Sequence, residues 1–179
     1  KTGIKDGLLT AAVGFAGYHT LAKGIGLVAD EMARLDEIAK VARSVGATTE
    51  FLSGLEFAAQ RTSGLVAGAA TKGIEKMTRR IQEAARGTGE AIKALEMLGL
   101  EAEALVLLSP AEQFKVLSRA MDGVTDAGQR TLIATQLYSE RQAKLHTTMA
   151  LTNNQFEDQI KLAKELGQVI TKEQADLGE

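Results

Sequence analysis

The stretch Ala84–Phe114 reads AARGTGEAIKALEMLGLEAEALVLLSPAEQF. It alternates runs of helix formers with residues that stop and start helices. Gly87 is predicted to close one helix, because glycine takes the left-handed conformation of a helix end without steric cost. Thr88 is predicted to cap the next, whose apolar stripe is Ala91, Ile92, Leu95 and Leu98. Gly99 closes that helix. Ser109-Pro110-Ala111-Glu112 then opens a third. Ser109 supplies a cap oxygen, Pro110 sits where a missing N–H does no harm, and Glu112 reaches back to complete a capping box. The region is thus a series of short capped helices joined by tight turns.

Upstream the periodicity changes. Ala11, Gly14, Tyr18, Leu21, Ile25, Val28, Met32, Leu35, Ala39 and Ala42 recur in alternating steps of three and four. That alternation is the seam of a helix packed lengthwise on another helix. Asp30, Glu31, Arg34, Glu37 and Lys40 lie off it. The expected packing seam is therefore Leu21, Ile25, Val28, Met32, Leu35, Ala39 and Ala42, facing sister copies or another helix of the same chain. Leu8–Val28 also has about the length of a membrane span. His19 and Lys23 stand inside it, and such groups are expensive in lipid.

Downstream of Gly46, Thr48 is positioned to cap a helix with Glu50 in its first turn and a stripe of Leu52, Leu55 and Ala59. Ser63–Gly73, rich in small residues, reads as a break or a soft helix start. Ile74–Arg86 reads as a helix carrying Lys76, Arg79, Arg80 and Arg86, expected to form a solvated basic face. Phe114, Leu117 and Met121 share one face, and Asp126 and Gln129 can cap a helix containing Leu132, Ile133 and Leu137. Gln155–Leu166 is closed by Gly167, and Thr171-Lys172-Glu173-Gln174 is one more capping box.

Composition agrees with an all-α chain. Of 179 residues, 45% are hydrophobic but only 4% aromatic, with one Pro, so there is little material for strands. A net charge of −2 draws in no nucleic acid globally. The absence of Cys excludes disulfides and thiolate metal sites. His19 and His146 are isolated, so no HExxH-type zinc site exists. Gly87-Thr88-Gly89 lacks the GK[ST] of a phosphate loop, and Glu96, Glu101 and Glu103 are expected on solvated faces. No catalytic, cofactor-binding or metal residue is expected, and no enzyme activity. The chain begins at Lys1 and is expected to be a piece of a longer polypeptide. The predicted organisation is a coiled-coil-like helix over 1–46 with a small-residue-rich start, then a multi-helix segment over 47–179. The whole is an elongated or bundled all-α structure with oligomeric coiled-coil packing.

The order of these signals resembles tail tape measure proteins of long-tailed bacteriophages and prophages. The likeness runs from about Ala42 to Glu179 through TxEFLSGLEFAA, EKMTRRIQEAARGTGEA, LEMLGL, LSPAEQF and LGQVITKEQA. The matching motif residues are Gly87, Thr88, Gly89, Glu90, Leu98, Gly99, Leu100, Ser109, Pro110 and Glu112. Two places depart from the family pattern. Phe51 stands where a Glu commonly completes a capping box. Leu137-Tyr138-Ser139-Glu140-Arg141-Gln142 replaces LFGRSG, so continuous helix is expected in place of a tight turn.

The resemblance implies a structural protein that fills the tail tube, sets tail length during assembly and leaves ahead of the DNA at infection. It implies a homo-oligomer, a trimer or hexamer. Implied partners are the tail tube protein, tail tip or initiator proteins and tail assembly chaperones, with transient host envelope contact and no specific DNA contact. It places the protein in the virion, within the tail tube lumen, and in the host cytoplasm during assembly. The competing readings are a helical adaptor that binds through the Leu21–Ala42 seam, a membrane-active, channel-forming segment centred on Leu8–Val28, and a fused hydrolase lacking a recognisable site.

Overall fold

The computed structural model describes residues 24–149 and 153–171, with side chains over 33–148 and 155–171. Nine α-helices run through these residues: α1 Gly24–Val45, α2 Thr49–Ser63, α3 Ala69–Ala85, α4 Ala91–Met97, α5 Ala102–Leu105, α6 Pro110–Asp122, α7 Ala127–Tyr138, α8 Leu145–Met149 and α9 Asn153–Glu165. A 3-10 turn, Glu140–Gln142, joins α7 to α8. The described residues contain no strand, as the composition predicts.

Helix α3 stands at the centre and touches α1, α2, α4, α5, α6 and α7. The cause is its sequence. Ala70, Ile74, Met77, Ile81 and Ala84 recur at steps of four and three, and all are buried. Gly73 lies beside that stripe, where a Cβ would collide with the buried side chain of Leu145 on α8. Gly54 plays the same part on α2, where a Cβ would stand 2.9 Å from Ile160 Cγ1 of α9. Small residues thus set how closely these helices approach. Phe51, Phe114 and Phe156 tie α2, α6 and α9 together, with ring centroids 5.8–6.5 Å apart.

The described part of the N-terminal seam lies on α1, a helix of 22 residues, and no long coiled-coil helix of the kind expected is evident among the described residues. Leu21 and everything before Gly24 fall outside the described residues, as does most of Leu8–Val28. The backbone places Ile25, Val28 and Met32 on α1. Further along, Ala39 and Ala42 are buried with Ile38 and Val41 in the same core as α2 and α3, and Leu35 packs against it. At this end the seam is occupied by the chain's own helices. No helix among the described residues is long and apolar enough to cross a membrane.

Three helix ends repeat one geometry. Gly87, Gly99 and Gly167 take φ of +75°, +65° and +66°. At each, the glycine N–H and the following N–H turn back onto the last carbonyls: Gly87 to Ala84 and Thr88 to Glu83, Gly99 to Glu96 and Leu100 to Leu95, Gly167 to Lys164 and Gln168 to Ala163. This is the Schellman closure.

The stretch Leu137–Gln142 corrects an expectation. The helix does not continue through it. It stops at Tyr138, and Ser139 takes φ 94°, ψ 164°, a region that is essentially glycine's alone and costs about 1–3 kcal/mol for other residues. Neighbouring core residues hold it there. Leu137, Tyr138 and Leu145 are fully buried, and Gln142 nearly so. Burial pushes the Tyr138 phenol far above its ordinary value.

Candidate functional site

The motif residues build helix boundaries. Ser109 N–H and Oγ both donate to Glu112 Oε2, at 2.9 and 2.7 Å, and Glu112 N–H returns to Ser109 Oγ at 3.4 Å. Pro110 is the first helical residue, and the box forms as its sequence predicts. The Ser109 hydroxyl, then the Ser109 N–H, hold the Glu112 carboxyl below the usual carboxylate range. Leu98 and Leu100 pack against the core on either side of Gly99.

Thr88 departs from its expected role. It does not cap α4. Its hydroxyl donates to the Glu83 carbonyl at 3.1 Å, so it completes the end of α3. Gly89, at φ +93°, separates it from the next helix. Glu90 occupies the cap position of α4 without a capping hydrogen bond from its side chain. Its carboxylate pairs with Arg80 at 2.8 Å instead.

Only half of the basic cluster forms the expected solvated face, since Arg79 and Arg86 are exposed but Lys76 and Arg80 are engaged by the fold. Arg80 is 14% exposed, and its Nη1 donates to the carbonyls of Thr135 and Gln136 at 2.8 and 2.9 Å. Those carbonyls form the C-terminal end of α7, where a cation is favoured by the helix dipole. Lys76 donates to Ser139 Oγ at 3.1 Å and to Gln142 Oε1 at 3.4 Å. Arg79 pairs with Glu83 one turn along α3, and Arg86 is exposed. The tertiary fold brings the end of α7 against α3, which turns two surface cations into clamps.

Other buried polar groups bond to backbone brought beside them by the fold. Glu56 of α2 is fully buried, and its Oε2 accepts from the Thr71 N–H at 2.9 Å and the Thr71 hydroxyl at 3.0 Å. Thr71 lies in the first turn of α3, whose own cap residue is Gly68 and has no side chain to offer. A carboxylate there satisfies orphan donors and meets the positive end of the dipole. Ser53 Oγ accepts from the Ile170 N–H at 3.0 Å. Gln113 Nε2 donates to the carbonyls of Leu105 and Leu108.

None of these connections is read from the sequence. The signal that could have found Glu56 is its place among Leu52, Leu55 and Ala59, a carboxylate within an apolar stripe. For Gln113 it is the adjoining Phe114.

No group of His, Cys, Asp or Glu among the described residues could hold a metal ion. One shallow depression of about 210 Å³ lies between α2, α6 and α9. It has Phe51, Phe156 and Ile160 at its floor and Glu50, Lys115, Glu157 and Lys164 around it. The exposed large apolar residues include Met97, Val106 and Leu107, the last 84% exposed. All three fall within the Ala84–Phe114 stretch. Comparison with known protein families, with curated proteins and with solved structures finds no match to this chain.

Proposed function

We propose that this chain is a segment of a tail tape measure protein. It occupies the tail tube lumen, sets tail length during assembly and is released ahead of the DNA. The observation that carries this reading is the order and spacing of the motif pieces between Ala42 and Glu179. Most of these pieces mark a helix start or stop, at Gly46, Thr48, Gly87, Gly99, Ser109 and Gly167. A ruler needs helix throughout and breaks that let it fold before packaging. The isolated segment is a helical bundle that opens into extended helices in the tube. There, copies associate as a trimer or hexamer along the seam from Leu21 through Ala42, which the opened bundle frees, with coiled-coil packing. Its partners are the tail tube protein, the tail tip or initiator proteins and the assembly chaperones. Contact with the host envelope is transient, and contact with DNA is not sequence-specific.

The test is tail length. Deleting 14 residues, Ala11 to Gly24, keeps the seam in phase and shortens an extended helix by about 21 Å at 1.5 Å per residue. Averaged electron micrographs of purified tails should show that decrement. Unchanged lengths across several in-phase deletions in intact particles overturn the reading. The exposed Leu107 and Val106 favour a second reading, a helical adaptor. On that reading Leu107→Asp abolishes partner capture and leaves tail length untouched.

A further inference from the structure

Between Gln129 and Leu166 the chain holds neither glycine nor proline. No glycine, asparagine or proline therefore ends a helix near Ser139. Yet α7 stops at Tyr138, and the chain turns at Ser139 with φ 94° and ψ 164°. The break is imposed by contacts from α3. Arg80 Nη1 donates to the Gln136 carbonyl at 2.9 Å, the group that in a continuing helix would receive the N–H of Glu140. Lys76 Nζ holds Ser139 Oγ and Gln142 Oε1. Ser139 Oγ in turn donates to Gln142 Oε1. Beyond the turn, Ala143 and Leu145 are drawn into the core, and Leu145 rests over Gly73.

Local preference and tertiary contact thus ask opposite things of one short stretch, the condition for a bistable element. We propose that Ser139 is a two-state joint. It is bent in the bundle, and it straightens into a single helix over residues 127–149 when Lys76 and Arg80 release it. Straightening carries Leu145 off Gly73 and lifts α8 from α2 and α6, which it touches in the bent form. The joint therefore opens the bundle from within. It requires nothing of the tail-tube reading and holds for any role in which the bundle extends.

The absence of cysteine makes the full chain suited to paired spin labels. Thr131 and Thr147 are both exposed. In one continuous helix their backbones stand about 24 Å apart at 1.5 Å per residue. Pulsed electron spin resonance on the T131C/T147C chain should give a main population at a shorter distance and a second near that value. The second population should grow severalfold in K76A/R80A. It should fall at least fivefold in S139G, because glycine accepts the bent backbone freely. A single short population in all three chains overturns the joint, as does a long population equal with and without S139G. Should K76A/R80A lose its helical circular dichroism, the comparison of the native sequence with S139G decides alone.

Discussion

From Ala84 to Asp122, helix ends are closed by residues next door. The Gly87 and Gly99 turns return their N–H groups to carbonyls three to five residues back, and Ser109 and Glu112 cap each other. The start of α3 and the end of α7 are instead closed from a distance. Glu56 reaches Thr71 fifteen residues on, and Arg80 reaches Gln136 fifty-six residues on. The difference follows from burial. The Ser109 box is exposed, so water can serve any group it leaves unpaired. Glu56 and Thr71 lie in the core, where an unpaired donor has no alternative. Local closures therefore tune stability, whereas the distant ones specify which helices lie together.

Four measurements break or sharpen this contrast. The largest effect is expected from Glu56→Ala. It strands the Thr71 N–H and hydroxyl in a dry site and should lower unfolding stability by about 3 kcal/mol in urea titration. A loss below about 1 kcal/mol would mean that water reaches the first turn of α3. Arg80→Ala follows, at about 2 kcal/mol, because it takes the donor from the Gln136 carbonyl, one of two donors from the Thr135 carbonyl, and the partner of one exposed carboxylate. A loss no larger than that of an exposed cap would erase the distinction between the regions.

Ser109→Ala should cost about 1 kcal/mol, the usual worth of such a cap. It should leave the near-ultraviolet signal of the aromatic cluster unchanged.

The smallest effect is a pH dependence. The folded Glu112 carboxyl is held below its unfolded value by Ser109. Its contribution is therefore present above the ordinary carboxylate range and is lost as pH falls through the depressed folded value. Stability measured from pH 6 downward should fall less steeply in Ser109→Ala than in the parent chain. Identical slopes would show that the box does not act on Glu112 in solution.

The local signals account for much of the chain. Thr48, Ser109 and Asp126 cap helices at their expected positions. The stripes Leu52–Leu55–Ala59 and Phe114–Leu117–Met121 are buried. Each of these depends only on residues within about one helical turn, where spacing is geometry. Thr88 shows the limit even at short range. A cap residue between two glycines can serve either neighbouring helix, and the positive φ of Gly89 assigned it to the earlier one.

What the amino-acid order determined by itself is the all-α class, where most helices begin and end, and which face of each is apolar. These follow from propensity, capping and period, all of them local. Only the tertiary structure decided that α3 is the hub, that its cations clamp the end of α7, and that Glu56 caps α3 across the core. It also decided that the chain turns at Ser139, where no neighbouring glycine, asparagine or proline ends a helix. Those features exist only once helices distant in sequence are packed together. Burial then removes water as a partner, and Glu56 Oε2, Lys76 and Arg80 bond to the groups that the packing has placed beside them.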